Sequence, residues 1–359
     1  MAYLPLSTAN LPDPVIDPAQ DASPEDYFNT VLWTGNGTTN AITGVGFQPD
    51  LTWIKKRSGA TDHEIHDAVR GSAYDLRSNL TIAETDQSAS FTGFASDGFN
   101  LAGTVSRYNE NTATYVAWNW KANGSGVSNT DGSITSTVSA NTTSGFSIVS
   151  FTGDGSSSST VGHGLNQVPE FIIQKRRDTT NDWQVSFKDV GVGYLNYTDA
   201  FTTSGGSNGR LSYTGNTSTT YTWLAGSSTV NSVNASGGTY IAYCFHSVEG
   251  FSKFGSYIAN TSNDGPFVYC GFRPAFVMIK RSDASGYEWT ILDSKRTPYN
   301  VMNGYLVAQG SAAEATGYNQ IDFLSNGFKM RQQYGNINDT GNHIYMAFAE
   351  NPFKYSNAR

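Results

Sequence analysis

A proline-led phrase occurs three times in the chain, and it constrains the fold more than any other feature. The copies are GFQPDLTWIKKR at 46–57, GLNQVPEFIIQKRR at 164–177 and GFRPAFVMIKR at 271–281. Aligned on the proline, each copy has apolar residues two and four positions later and a lysine six positions later. This period of two predicts a β-strand with one apolar face. The shared positions are Pro49, Trp53 and Lys55, then Pro169, Ile173 and Lys175, then Pro274, Met278 and Lys280.

The apolar face of this strand is expected to enter a core. The lysine follows on the same face, where the strand ends. We expect its alkyl stem to lie along the edge of the core and its ammonium group to reach water.

A second repeated phrase closes each copy: TYVAWNWKA, TYIAYCFHS and IYMAFAEN. We align the three on Tyr115, Tyr240 and Tyr345. One face of this strand is large and apolar, and the other carries tyrosine and alanine, which is typical of a central strand covered on both sides. The matched spacing predicts an all-β protein of three consecutive antiparallel β-sandwich or jelly-roll-like modules, each of about one hundred residues.

The repeats divide the chain into four parts. Residues 1–26 form an extended arm, and residues 27–122 form module 1. Residues 123–250 contain a linker, an extra strand at SITSTVSA and module 2, and residues 251–359 contain module 3 and the C-terminal tail. Short helices are expected only near DHEIHDAVRG and AAEATGYNQ.

The arm is rich in proline, which disfavours helix and central strands. Its apolar side chains are expected to insert into a neighbouring subunit, in a homo-oligomer for which a trimer is favoured. These docking residues are Tyr3, Leu4, Leu6, Val15 and Ile16.

Composition excludes several classes of protein. The net charge is −8 and only 14% of residues are charged, which argues against nucleic-acid binding through phosphate neutralisation. No apolar window is long enough to cross a membrane. The N-terminus does not resemble a signal peptide, so we expect synthesis in a cytoplasm, with Cys244 and Cys270 reduced and buried.

Catalytic and metal sites have little support. His63 and His66 have a spacing that can place two metal ligands together, but no distant third ligand is indicated, and the matched segments predict a structural strand. The candidate carboxylates for glycoside hydrolysis sit beside turn residues and do not recur as a pair. We therefore predict no metal and no cofactor. The carboxylates considered are Asp50, Asp97, Asp154, Glu170, Asp293 and Glu350.

Carbohydrate is the ligand class with the most physical support, because sugars stack on aromatic rings and bond to Asn, Asp, Ser and Tyr. Trp183, Trp223 and Trp289 are the candidate ligand-binding residues. Core packing is the competing interpretation, and the large apolar area of each ring favours it.

The chain also resembles an uncharacterised family of tail and virion structural proteins of marine bacteriophages. The resemblance covers nearly the whole chain and is carried by the two repeated phrases, TTSGFSIVSFTGDG with GHGL, VEGFSKFGSY and AENPFKYSNAR. The third module departs from the pattern because it lacks GHGL before its proline.

The resemblance implies a virion component with a jelly-roll or lectin-like sandwich as its unit, and it brings no catalytic residues. We expect a non-enzymatic tail fibre or adhesin component that contacts a host surface glycan. The alternatives are a capsid decoration or head-fibre protein, and a glycan-processing enzyme on the same scaffold.

Overall fold

The computed structural model describes residues 11–20, 22–207, 209–224, 230–318 and 320–356. It confirms the all-β prediction, since antiparallel sheets dominate and the helices are single turns. Those turns are α1 (Asn231–Asn234), α2 (Gly335–Asn338) and 3₁₀ segments at Pro18–Gln20 and Pro24–Asp26.

Module 1 has a main sheet in the order β1-β9-β3-β4 and a second sheet in the order β2-β8-β7, with a short pair β5-β6. The strands are β1 (Phe28–Thr34), β2 (Asn40–Ile42), β3 (Leu51–Lys56), β4 (Glu64–Asp67), β5 (Tyr74–Asp75), β6 (Thr85–Asp86), β7 (Phe91–Ala95), β8 (Gly98–Leu101) and β9 (Thr114–Trp120).

Module 2 has a main sheet in the order β10-β11-β12-β20-β14-β15-β16, with the pairs β13-β18 and β17-β19. The extra strand expected at SITSTVSA is present as β11. The strands are β10 (Val127–Asn129), β11 (Ser136–Asn141), β12 (Phe146–Thr152), β13 (Val161–Gly162), β14 (Phe171–Arg176), β15 (Gln184–Phe187), β16 (Gly191–Tyr194), β17 (Arg210–Leu211), β18 (Thr220–Tyr221), β19 (Trp223–Leu224) and β20 (Thr239–Phe245).

Module 3 has a main sheet in the order β21-β28-β23-β24-β25 and a second sheet in the order β22-β27-β26. The strands are β21 (Ser252–Ile258), β22 (Phe267–Tyr269), β23 (Phe272–Arg281), β24 (Thr290–Asp293), β25 (Leu306–Val307), β26 (Ile321–Leu324), β27 (Gly327–Met330) and β28 (Asn342–Pro352).

Each main sheet is buried on both faces. One face packs against the second layer of its own module: in module 1, Ile54 and Ala117 meet Phe91 and Phe99. The opposite face enters one apolar core that all three modules share. This two-sided burial explains why the proline-led strands are apolar at nearly every position.

Aromatic rings from the three modules meet in the shared core. Trp120, Phe245 and Phe348 occupy matched positions, and their ring centroids are 5.7–6.5 Å apart. Distances in this range are typical of favourable aromatic pairs. The three modules therefore stabilise one another through a single apolar centre.

The third copy of the closing strand is shifted by two residues relative to our alignment. Lys56 and Arg176 pair with Tyr115 and Tyr240, but the matched Arg281 pairs with His343 rather than Tyr345. A shift of two keeps every side chain on the same face, because side chains alternate along a strand. The alignment of Tyr345 was thus wrong in register, although it placed the faces correctly.

A repeated ring stack supports the corrected register. Trp33 stacks on Tyr115, Phe151 stacks on Tyr240 and Tyr257 stacks on His343, with centroids 5.0–5.2 Å apart. The third module therefore keeps the stack with a histidine in place of the tyrosine.

The repeated lysines do not reach water, so that expectation was wrong. Lys55, Lys175 and Lys280 are fully buried. Each ammonium group donates to a loop carbonyl of another module, at 3.1 Å: to Ser311, Thr81 and Thr198 respectively. A buried charge needs such acceptors, because leaving it unpaired is costly.

These contacts run in a cycle. Module 1 reaches module 3, module 2 reaches module 1, and module 3 reaches module 2. The same loop carbonyls also accept from the backbone N–H groups of Thr61, Asn181 and Gly286, which lie in the same modules as the respective lysines. This is the contact pattern of a closed trimer, contained in one chain.

A second set of cyclic bonds is incomplete. Trp118 Nε1 donates to Asp293 of module 3, and the Tyr243 hydroxyl donates to Asp67 of module 1. The matched residue of module 3 is Met346, which has no donor. Module 3 therefore lacks this bond, and the arrangement forms without it.

The described part of the arm packs on its own chain. Ile16 is fully buried in the shared core, and Asp13 forms an ion pair with Lys354. The expectation that Ile16 inserts into a neighbour is therefore wrong, whereas Val15 is exposed. Tyr3, Leu4 and Leu6 lie outside the described residues.

Neither expected helix is present. DHEIHDAVRG forms the strand β4 and a turn, and the described residues of AAEATGYNQ contain only an isolated bridge at Ala315. In β4, Ile65 enters the shared core while its neighbours face the other way, so the alternation of a strand prevails. The helical turns occur instead before β20 and β28, where they close tight loops.

Candidate binding site on the third module

In each module, one matched turn precedes the closing strand and one matched segment follows the strand that pairs with the proline-led strand, namely β4, β15 or β24; in module 3 the two are in contact. The turn residue is Val105, Val230 or Tyr334; in each case its carbonyl accepts from the N–H groups three and four residues later. Its counterparts in the second segment are Asp75, Val192 and Tyr305, each paired with a following residue. We call these the corner positions; the shared fold tolerates three different chemistries there.

In module 1 the corner is charged. Asp75 and Glu64 are buried, and Arg77 contacts both carboxylates at 3.1 and 3.4 Å. Arg107 forms a second ion pair with Glu64. The two arginines cover the carboxylates, and each keeps less than a quarter of its side chain exposed.

Burial and the neighbouring Asp75 raise the pKa of Glu64 well above its usual value. The Tyr108 hydroxyl lies 2.9 Å from Glu64 Oε2 and 2.9 Å from His66 Nε2. His66 Nδ1 lies 2.8 Å from the Ser72 carbonyl, which fixes the proton on Nδ1. The Tyr108 hydroxyl donates to Glu64 Oε2 and so connects this buried carboxyl with the His66 ring.

In module 2 the corner is aliphatic. Val192 and Val230 are both buried. This corner offers a ligand no polar or aromatic group at the matched positions.

In module 3 the corner is aromatic and open to solvent. We call Tyr305, Tyr318 and Tyr334, with Glu288 and Asn336, the tyrosine surface. The Tyr305 and Tyr334 hydroxyls are 3.1 Å apart. Tyr318 stacks on Tyr334 with a centroid distance of 5.1 Å and an interplanar angle of 26°, and 41% of Tyr318 is exposed.

Polar groups at this corner are held in place. Asn336 Nδ2 donates to Glu288 Oε2 at 2.9 Å and to the Tyr334 hydroxyl at 3.3 Å, and Asn336 Oδ1 accepts from the Glu288 N–H. Burial, the bond to Tyr334 and the charge of Glu288 raise the pKa of Tyr305, so its hydroxyl keeps its proton. The surface therefore combines aromatic rings with fixed donors and acceptors.

Comparison with known families assigns the chain. The family described as "Domain of unknown function (DUF7483)" matches residues 23–352, which include all three modules. The chain belongs to the DUF7483 family. No curated protein matches the sequence. The DUF7483 match covers the central core and the tyrosine surface together.

The three candidate tryptophans lie in cores of the DUF7483 fold rather than at the tyrosine surface. Trp183 and Trp289 are buried in the shared core, and Trp223 is buried in module 2. Trp183 Nε1 donates to the Arg77 carbonyl at 2.7 Å, and Trp289 Nε1 donates to the Tyr194 carbonyl at 2.9 Å. These rings present no open face to a ligand.

His63 occupies the position that matches Trp183 and Trp289. Trp53 Nε1 donates to His63 Nδ1 at 2.8 Å, so the His63 proton lies on Nε2 and is donated to the Val307 carbonyl at 3.0 Å. Burial lowers the pKa of His63 to about 3. His63 therefore acts as a neutral bridge between modules, and both of its nitrogens are engaged.

Within the described residues, no group of three or more His, Cys, Asp or Glu side chains is placed to hold a metal ion. No helix in that part of the chain is long and apolar enough to span a membrane. Cys244 and Cys270 are free and buried, as expected.

Sequence reasoning missed two sets of residues. Asn109, Asn234 and Asn338 are fully buried, and their amides donate to the loops that follow β1, β12 and β21 respectively. Their equivalence could have been found by aligning the turn before each closing strand. The tyrosine surface gave no repeated signal, because its residues differ from those of the other two modules.

Proposed function

We propose that this protein is a non-enzymatic structural component of a phage particle, acting as part of a tail fibre or another adhesin that contacts a host surface. The sequence resemblance to virion proteins motivates the virion assignment. A shared core and buried lysine contacts join the three modules, so the chain can serve as a scaffold for an exposed binding surface.

One observation carries the binding role. Among the described residues, the module 3 corner has the half-buried Tyr305 and Tyr334 with the exposed Tyr318 beside fixed polar groups, whereas the matched positions of the other corners are Asp75 with Val105 and Val192 with Val230. Since the fold forms without tyrosines at these positions, its stability does not explain them. Exposed aromatic and polar residues that the scaffold does not need are the usual mark of a binding site.

The carboxylates argue against a hydrolase. A glycosidase needs two carboxyl groups facing each other across a groove. Asp50 instead accepts from the Ala122 and Gly124 N–H groups, Asp97 accepts from two glycine N–H groups, and Glu170 accepts from Ser247. Glu64 and Asp75, which do lie together, are buried and paired with Arg77 and Arg107.

The test uses the full chain and particles of a phage that encodes it. Mass spectrometry of purified particles should detect the chain, and antibodies against it should label the tail. Fluorescent full-length protein should bind host cells and should release no reducing sugar from host surface polysaccharide. Absence from the particles would refute the virion assignment, labelling of the head would favour decoration, and sugar release would establish an enzyme.

A further inference from the structure

We propose that the tyrosine surface of module 3 binds an uncharged saccharide unit, with the outer face of Tyr318 as the stacking platform and the groups around Asn336 as its hydrogen-bonding partners. This inference rests on the proposed function and assigns the adhesin a site and a ligand class.

The first step is the stacking geometry. Tyr334 covers one face of Tyr318 in a near-parallel stack, and the exposed 41% of Tyr318 leaves the other side open. Tyr305 approaches Tyr318 edge-on, with centroids 6.2 Å apart and an angle of 62°. A ring supported from behind in this way loses little conformational freedom when a flat ligand stacks on it, which favours binding.

The second step is the match of hydrogen-bonding groups. A sugar ring carries hydroxyl groups that both donate and accept at its edge and C–H groups on its faces. The tyrosine surface offers the same combination: aromatic faces, two tyrosine hydroxyls, and the Glu288 carboxylate fixed by Asn336. Fixed polar groups beside an apolar platform give a small-ligand site its orientation and specificity.

The third step is charge. The Glu288 carboxylate lies at this corner and would repel a uronate or a sulfate ester. Two cations on neighbouring segments are already paired: Arg281 stacks over Tyr287 and contacts Asp283 and Asp339, and Arg331 contacts Asp322. An anionic sugar would therefore meet the Glu288 carboxylate, whereas these two arginines already have carboxylate partners, so an uncharged saccharide is the ligand that fits.

The comparison of modules adds an internal control. Module 2 has the same backbone at this corner, with Val192 and Val230 in place of Tyr305 and Tyr334. A ligand that only recognised the sandwich would bind modules 2 and 3 alike. A ligand that uses the tyrosine surface depends on module 3 alone.

The experiment measures retention of the full-length protein by affinity electrophoresis. The probes are neutral polysaccharides (mannan, galactan and amylose), the anionic polysaccharides alginate and heparin, and polysaccharide extracted from host cells. We expect retention by at least one neutral polymer or by the host extract. The Tyr318→Ala variant should weaken that binding by at least about tenfold, as expected for loss of an aromatic anchor.

Two further variants separate binding from folding. Tyr299 is 72% exposed in the same module and does not belong to the tyrosine surface, so Tyr299→Ala should bind like the wild type. Tyr318→Phe keeps the ring and should retain most of the affinity. All variants should melt at the temperature of the wild type.

Three results would overturn the inference. They are equal retention of Tyr318→Ala and wild type, retention by anionic polymers alone, and no retention by any probe, including the host extract. The first two leave the adhesin function intact, because the protein still binds a surface polymer. Detection of the chain in purified particles tests the virion assignment independently of all three.

Discussion

The buried lysines between modules predict that stability rises with pH. Burial lowers the pKa of Lys175 from 10.5 to about 7, and it lowers those of Lys55 and Lys280 to about 8. Between the folded and unfolded pKa values, the unfolded chain binds a proton that the folded chain does not. The free energy of unfolding therefore increases with pH in that window.

The magnitude follows from these values. Each lysine contributes at most about 1.4 kcal/mol per pH unit, so Lys175 adds about 2 kcal/mol between pH 7 and pH 9. Lys55 and Lys280 add about 1 kcal/mol each over the same range. The lysine contribution continues up to pH 10.5, but above pH 9 it is partly opposed, because burial raises the pKa of the Cys244 thiol from 9.0; the measurement therefore stops at pH 9.

The perturbation is Lys175→Met, which keeps the length of the side chain and removes the titrating group. The Thr81 carbonyl stays bonded, since it also accepts from the Asn181 N–H at 2.8 Å. Urea unfolding of wild type and variant at pH 7, 8 and 9 should show that the variant lacks about 2 kcal/mol of the rise. Lys253→Met, at an exposed lysine, is the matched control and should keep the full rise.

Two outcomes would refute this reasoning. Wild-type stability that stays flat or falls from pH 7 to pH 9 would mean that the lysines are not desolvated. An unchanged rise in Lys175→Met would mean that other groups cause it.

Three further substitutions probe the scaffold. Trp53→Asp puts a carboxylate into the shared core and removes the donor to His63, so it should cost several kcal/mol and yield aggregated protein; a soluble variant with a normal melting temperature would contradict this. Ile16→Ala should lower the free energy of unfolding by about 2–5 kcal/mol in urea titrations, because Ile16 packs in the shared core. An unchanged value would show that the arm does not contribute to the core. Asn234→Ala removes the amide that bonds to Asp154, so it should cost about 1–3 kcal/mol and speed hydrogen exchange in that loop; unchanged exchange would show that the amide is dispensable.

The sequence by itself determined the repeat, the strand class and the faces of the strands. Alternation of apolar residues around Trp53, Ile173 and Met278 required strands with a buried face, and those side chains all lie in the shared core. The same pattern could not set the register of the third closing strand. A two-residue shift leaves the faces unchanged, so Tyr345 and His343 fit the pattern equally well.

Only the tertiary structure decided how the modules meet. Lys55 and its acceptor Ser311 are 256 residues apart in the chain, and no local pattern states which loop will reach a buried ammonium group. The strand pattern of each module is compatible with an independent sandwich, whereas the folded chain places a second face of each main sheet in a common core.

The candidate site could not be predicted from the sequence, for the same physical reason. Exposure decides whether an aromatic residue can bind a ligand, and exposure depends on which neighbours cover the ring. The sequence made Trp289 a candidate platform and did not single out Tyr318, but packing buries the first and leaves the second exposed. The contact between Tyr305 and Tyr334 forms because the fold brings two turns together, each from a different part of module 3.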